Sequence, residues 1–152
     1  MNMKYLGIDY GTKRIGLAIS DEGGRIAFPY KILVNNLMLE EEVHNICGQE
    51  EISAIVLGES YNQKGEKNNV MGSIEEFKIN IEGHLGIPVH LEKEFMTSVH
   101  AREMMDEARG VFKKSVNIAK KIVKGRQDKA DASAATLILQ RFLDRNNNKI
   151  TN

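Results

Sequence analysis

The stretch that decides the fold is GIDYGTKRIGLAISD, which runs from Gly7 to Asp21. It joins the end of one apolar run, Lys4 to Tyr10, to a second run, Arg14 to Ser20, and this pattern predicts two strands. Turn residues follow from Asp21 to Gly24, and a strand-like pattern resumes from Arg25 to Leu33. The opening of the chain therefore predicts an antiparallel meander of three strands.

One charged residue, Asp9, closes the otherwise apolar first strand. Burial of an unpaired carboxylate is costly, so Asp9 needs a metal ion, a cation or the backbone amides of a turn. Gly11 permits a tight turn beside it, and Gly16 indicates close approach of another element to the second strand. The spacing of these glycines also suits a phosphate loop, but Leu17 and Ala18 stand where that motif needs lysine and a hydroxyl residue.

Beyond the meander, the apolar period alternates between helix and strand. Helices are predicted around Leu39 to Cys47 and Ile74 to Ile81, and short buried strands at Ile52 to Leu57 and Val89 to Leu91. A further helix is predicted from a cap at Thr97 or Ser98 through Arg109, and a last one has an apolar face made by Ala134, Ala135, Ile138 and Phe142. The order βββαβαβαα predicts an α/β fold with helices packed on a mixed sheet.

Size and composition exclude several classes of protein. A length of 152 residues with 41% hydrophobic content predicts a single domain over residues 1–145, followed by a polar, frayed tail from Arg145 to Asn152. No apolar run is long enough for a signal peptide or a membrane span, so we expect a soluble, cytoplasmic protein. Cys47 is the only cysteine, which excludes an intramolecular disulfide. His44 and Cys47 have the i, i+3 spacing of helical neighbours, but the two further ligands that a zinc site needs are absent at suitable spacing.

Positive charge is concentrated in one segment, although the formal net charge is +0. Between Val111 and Ala130 the only acidic residue is Asp128, whereas the basic residues are Lys113, Lys114, Lys120, Lys121, Lys124, Arg126 and Lys129. If Phe112 to Lys124 is helical, Lys113, Lys120 and Lys124 gather on one face. Such a face is either simply solvated or a surface that contacts phosphates.

The quoted stretch closely resembles the opening strand and hairpin of the YqgF/RuvX family, the pre-16S rRNA nucleases also called Holliday junction resolvase-like. The match continues in DASAA from Asp131 to Ala135 and in ILQRFLD from Ile138 to Asp144, which resemble the closing helix of the family. AIVLG from Ala54 to Gly58 resembles its central strand. The resemblance covers about Lys4 to Asp144, and it implies an RNase H-like fold with a mixed five-stranded sheet flanked by helices.

The resemblance also implies an acidic active site, whose residues carry over onto Asp9, Glu94 and Asp131. A pair of Mg²⁺ or Mn²⁺ ions held by such carboxylates can orient an attacking water and stabilise the leaving oxygen. The family's Asp-Glu-Arg-Leu-Thr-Thr motif is altered here to KEFMTS, from Lys93 to Ser98, so an arginine suited to phosphate is lost. Glu59 is an unexpected acid after the central strand, either an exposed loop residue or a metal ligand that supplements or replaces Glu94.

Together these features predict a metal-dependent endonuclease that acts on structured RNA or branched DNA, and the family resemblance implies pre-16S rRNA processing ahead of Holliday junction resolution. An actin-like or sugar-kinase-like ATPase also resembles the chain at Asp9 to Thr12, but those proteins close two such domains around the nucleotide. A catalytically degenerate nucleic-acid-binding protein is the other alternative, suggested by Lys93 and Phe95. The expected phosphate contacts are Lys13, Arg14, Lys113, Lys120, Lys124 and Arg126.

Overall fold

The computed structural model describes residues 3–61, 70–95 and 129–150. Its five strands are β1 (Tyr5–Tyr10), β2 (Arg14–Ser20), β3 (Ala27–Val34), β4 (Ala54–Tyr61) and β5 (Val89–Phe95). The helices of these ranges are α1 (Leu39–Gln49), α2 (Met71–Leu85) and α3 (Lys129–Ile150), and none of the three is long and apolar enough to cross a membrane. The helix predicted through Arg109 and the basic segment that follows it lie outside the described residues.

The strands form one mixed sheet in the order β3-β2-β1-β4-β5. The pairs β1–β2 and β2–β3 are antiparallel, which confirms the predicted meander. β4 pairs in parallel with β1, and β5 pairs in parallel with β4. The predicted α/β fold with a mixed five-stranded sheet is therefore confirmed.

β4 and β5 are longer than the sequence predicts. Their pairing continues past the apolar runs, from Gly58 opposite Glu92 to Tyr61 opposite Phe95. A glycine and several charged residues end the apolar signal in the sequence, but hydrogen bonds between backbones hold the chain extended there. The strands thus carry polar residues to the carboxyl end of the sheet.

The sheet separates two apolar cores. Leu6 and Ile8 lie on one face of the sheet and pack with α1 and α2. Tyr5 and Val56 lie on the other face and pack with α3. Cys47 is buried in the first core, as predicted, and burial raises the pKa of its thiol to about 11.

Helix α3 lies directly on β1. A Cβ atom at Gly7 would lie 2.7 Å from the Leu139 Cβ and 3.1 Å from the Ala135 carbonyl oxygen, so only glycine permits this approach. Farther along the helix, the Asn146 carboxamide lies 3.5 Å from the Tyr5 hydroxyl. Since later helix residues meet earlier strand residues, α3 runs antiparallel to β1, and its first turn lies toward the end of β1 that carries Asp9.

The tail predicted from Arg145 is helical over its described part, because α3 continues to Ile150. Arg145 forms an ion pair with Glu92. The Asn147 carboxamide donates a hydrogen bond of 3.2 Å to the Gly24 carbonyl oxygen. These polar contacts hold the last turns of the helix on the sheet, although their sequence shows no apolar face.

We predict that Gly7→Ala destabilises the fold by about 1–3 kcal/mol, the usual cost of overpacking a core, because the added methyl group overlaps Leu139. Gly83→Ala in α2 is the matched control, since a Cβ there meets nothing within 4 Å and alanine favours the helix by up to about 1 kcal/mol. Urea unfolding of both variants measures the two effects. Equal stabilities of the two variants would contradict the close approach of α3 to β1.

Candidate active site

Asp9 lies half-buried near the carboxyl end of β1, on the side of the sheet that α3 covers. Its partner on β2 is Gly16. On the other side of β1, Ile8 pairs with Leu57 of β4. If this register continues by one residue, Gly58 lies beside Asp9. Neither of these two glycines contributes a side chain of its own beside the carboxylate.

The turn after β1 fixes the end of the strand. A Cβ atom at Gly11 would overlap the Arg14 carbonyl oxygen, so the turn from β1 into β2 requires glycine there. The Asn35 carboxamide donates a hydrogen bond of 2.9 Å to the Gly11 carbonyl oxygen. The strand end that carries Asp9 is thus held from the β3 side as well.

Glu94 and Asp131 come from two other elements. Glu94 lies in β5, opposite Ser60 of β4. His90 and Glu92 of the same strand contact α3, so the alternation of a strand assigns position 94 to the α3 side. Asp131 lies in the first turn of α3, one turn before Ala135, whose carbonyl oxygen is next to Gly7.

The backbone therefore brings positions 9, 94 and 131 to one side and one end of the sheet. Carboxylates are the oxygen ligands that Mg²⁺ and Mn²⁺ prefer, so this donor set fits such ions chemically. The side chains of Glu94 and Asp131 lie outside the described residues, and among the side chains that are described no three acidic, histidine or cysteine groups form a metal cluster. The ligand set stays a prediction.

Glu59 does not lie in a loop, which corrects one interpretation of this residue. It is half-buried within β4, where it pairs with Lys93. Alternate residues of a strand lie on the same face of the sheet. Ile55 and Leu57 belong to the core under α1 and α2, so position 59 falls on that face, opposite to Asp9. This placement favours Glu94 over Glu59 as the third carboxylate.

A buried glutamate, Glu92, was not predicted from the sequence. Its side chain is 2% exposed and forms an ion pair with the guanidinium group of Arg145. Burial raises the pKa of Glu92, while the positive charges of Arg145 and Arg141 act against this rise. The Arg141 guanidinium also lies 3.4 Å from the carbonyl oxygen of Lys93.

These contacts bind the edge strand β5 to α3 immediately before Glu94. β5 has a hydrogen-bonded neighbour on one side only, β4, within the described sheet. The two arginines of α3 supply a second attachment on the residues that precede Glu94. No local pattern could reveal this arrangement, because Glu92 and Arg145 are 53 residues apart.

Lys13 and Arg14 are exposed at the turn between β1 and β2. This turn follows Asp9 directly, so both cations lie at the same end of the sheet as the candidate active site. The other predicted phosphate contacts, Lys113, Lys120, Lys124 and Arg126, lie outside the described residues.

Comparison with known proteins identifies the family. A family model described as RuvX, Holliday junction resolvase, matches residues 3–145. The chain belongs to the RuvX family. A relative from Maridesulfovibrio salexigens, named "Putative pre-16S rRNA nuclease", is 32% identical and covers 94% of this chain and 99% of its own. A relative of the same name from Oleidesulfovibrio alaskensis is 31% identical, with coverage of 93% and 92%.

Solved structures resemble this RuvX-family chain in fold. RuvC of T. thermophilus in complex with a Holliday junction substrate has a TM-score of 0.61 at 13% identity, over 95% of this chain and 96% of that one. The fowlpox virus Holliday junction resolvase also has a TM-score of 0.61 at 13% identity, over 94% and 99%. These neighbours confirm the RNase H-like fold, and the family makes the chain a nuclease.

We predict that Arg145→Met destabilises this RuvX-family chain by roughly 2 kcal/mol at pH 7, since removal of one partner of a buried ion pair leaves an uncompensated charge. The loss should shrink as the pH falls. Glu92 already has a raised pKa in the folded state, so it takes up a proton there more readily than in the unfolded chain, and a neutral carboxyl group needs no cation.

Urea unfolding of the wild type and of Arg145→Met at pH 7 and pH 5 measures this dependence. Lys149→Met is the control, because Lys149 is an exposed cation of the last turn of α3 and should change stability little at either pH. If the free energies of unfolding of Arg145→Met and the wild type differ by the same amount at both pH values, the charge of Glu92 does not cause the loss of stability.

Proposed function

We propose that this RuvX-family chain is a metal-dependent endonuclease that hydrolyses phosphodiester bonds of structured nucleic acid, with pre-16S rRNA as its first candidate substrate. The observation that supports the proposal is the arrangement of the backbone, in which β1, β5 and α3 bring three acidic positions to one end of the sheet. Asp9 belongs to the first strand, Glu94 to the edge strand and Asp131 to the first turn of the last helix.

In this proposal, Asp9, Glu94 and Asp131 hold the divalent ions. Bound Mg²⁺ or Mn²⁺ supplies an activated water and stabilises the charge on the leaving oxygen. The chain itself contributes orientation, because pairing with Gly16 of β2 fixes the backbone of Asp9.

The remaining residues of the proposed site act on charge and position. Lys13 and Arg14 neutralise phosphates on the flank of the cleaved bond. Glu94 belongs to β5 and Asp131 to α3. The ion pair between Glu92 and Arg145 attaches these two elements to each other and so keeps the two carboxylates at a constant separation.

Two observations rank the substrates. Relatives at 31–32% identity carry the name of a pre-16S rRNA nuclease, whereas the neighbours that bind or resolve Holliday junctions are 13% identical. We therefore propose RNA processing ahead of junction resolution, in the cytoplasm. A catalytically degenerate nucleic-acid-binding protein is the second candidate, because Lys93 and Phe95 stand where the family's motif has an aspartate and an arginine.

We predict that Asp9→Asn abolishes Mg²⁺-dependent cleavage, at least about 100-fold, while the fold is retained, since the amide keeps the shape but loses the charge that holds the ion. Glu94→Gln should reduce cleavage by a similar factor. Glu59→Gln is the matched control and should leave cleavage nearly unchanged, because Glu59 lies on the opposite side of the sheet.

Cleavage of a labelled rRNA precursor and of a four-way DNA junction by the purified variants measures these effects, and circular dichroism checks the fold. If Glu59→Gln is inactive and Glu94→Gln active, the assignment of the third carboxylate is wrong. Wild-type protein that binds both substrates with no cleavage in Mg²⁺ or Mn²⁺ favours the degenerate binding protein.

The basic segment provides a further prediction. Replacement of Lys113, Lys120 and Lys124 by alanine should weaken binding by a similar factor for different nucleic-acid sequences, because lysines neutralise the phosphate backbone and do not read bases. The dependence of log Kd on log salt concentration should become shallower. Fluorescence anisotropy at several salt concentrations measures both effects, and an unchanged slope would argue for a merely solvated face.

A further inference from the structure

A groove lies between α1 and α2, on the side of the sheet opposite to Asp9. It consists of two adjoining cavities of about 390 and 360 Å³. Leu37 and Glu40 line both cavities, so the two form one continuous depression. Along α2 the lining extends from Ser73 to His84, which is roughly 16 Å at the rise of an α-helix. An extended peptide of about five residues has this length.

The groove is acidic. Glu40, Glu41 and Glu76 line it, and no described lysine or arginine belongs to the lining of either cavity. Lys78 is the only lysine or arginine in α1 and α2, and it already forms an ion pair of 2.7 Å with Glu82. The carboxylates of the groove therefore attract cationic groups and repel phosphates. A ligand that fits this groove is positively charged and is not a nucleic acid.

Two other features of the lining favour a peptide over a small cation. Leu37 stands between the two cavities with its side chain fully exposed, so an apolar side chain of a ligand can cover it. The carboxamides of Asn35 and Asn80 each use one N–H in a hydrogen bond, to the Gly11 carbonyl oxygen and to Glu40. A carboxamide has a second N–H, which a peptide carbonyl oxygen can accept. A peptide supplies the positive charge, the apolar side chain and the carbonyl oxygens together, whereas a polyamine supplies the charge alone.

We infer that this groove binds a short basic segment of a partner protein in an extended conformation. Its lysine or arginine side chains lie beside Glu40, Glu41 and Glu76, and an apolar side chain packs on Leu37. Arms rich in lysine and arginine are typical of proteins that themselves bind nucleic acid, so a partner of that kind has the required chemistry. The inference goes beyond the proposed function: because the groove and Asp9 lie on opposite sides of the sheet, the partner and the nucleic acid can be bound at the same time.

An NMR titration of the full chain in EDTA, without nucleic acid, tests this inference. The probes are the peptide acetyl-RKLKR-amide, the peptide acetyl-RKGKR-amide, which has the same charge and no leucine, and spermidine. The leucine peptide should shift the signals of α1 and α2 and bind at least about fivefold more tightly than either other probe, since only it covers apolar surface. The pH is 7.5, because His84 lies 3.8 Å from Glu40 and competes with the peptide when it is protonated. Equal affinity for the three probes would overturn the inference.

Two pairs of variants test the lining. Leu37→Ser should lower the affinity for the leucine peptide to that for the glycine peptide, and the fold should be retained because Leu37 is fully exposed. Ile79→Ser is its control, since Ile79 is an exposed apolar residue of α2 outside the groove. Glu40→Gln should weaken binding of the leucine peptide by about threefold. Glu42→Gln removes the same charge from α1 outside the lining and should have a smaller effect.

Either of two results from these variants would refute the groove. One is an equal loss of affinity in Glu40→Gln and Glu42→Gln, which would reduce the attraction to the general acidity of α1. The other is a folded Leu37→Ser variant that still distinguishes the leucine peptide from the glycine peptide.

The basic segment of this chain itself is the competing occupant. If it fills the groove, replacement of Lys113, Lys120 and Lys124 by alanine removes a competitor and should strengthen binding of the leucine peptide at least about threefold, which would overturn the inference of a partner protein. Unchanged affinity in this variant, with the preference for the leucine peptide retained, supports the partner. Because the titration contains neither nucleic acid nor a divalent ion, its outcome is independent of the cleavage assays that test the proposed function.

Discussion

The close contact of α3 with β1 at Gly7 is the constraint on which the other features depend. Because position 7 has no side chain, the helix lies against the strand itself, with Leu139 and Ala135 next to the backbone of β1. The antiparallel direction of the helix then determines which of its turns lies toward Asp9. A bulkier residue at position 7 would lift α3 and change the separation between the first turn of the helix and the end of the strand.

Much of the fold could be predicted from the sequence, because buried strands and helices differ in the period of their apolar residues. The meander and the apolar parts of β4 and β5 have this local signal. The last residues of β4 and β5 do not, since they are polar and are held extended by pairing between Gly58 and Glu92 and beyond. The last turns of α3 likewise depend on contacts such as that of Asn147 with Gly24, which the sequence does not reveal.

The candidate site divides in the same way. Asp9 could be proposed as a site residue because a charged residue ends an apolar strand, and Glu94 and Asp131 could be proposed because the chain resembles a family. Glu92 could not, since its buried charge depends on arginines of a helix that is distant in sequence. The interpretation of Glu59 as a loop residue failed for a related reason, because no local pattern shows that β4 continues beyond Gly58.

The contacts of α3 with β1 also determine when the protein can fold during its synthesis. Tyr5 and Asn146, which meet in the folded state, are 141 residues apart. Contacts between such distant residues form late, because nearly the whole chain must close on itself. The ribosome makes β1 first among the described elements and α3 last, so a growing chain has Asp9 long before it has Asp131. The proposed site combines the two residues, so an incomplete chain lacks one of its carboxylates, and the capacity to cut nucleic acid would arise only once the last helix has been made.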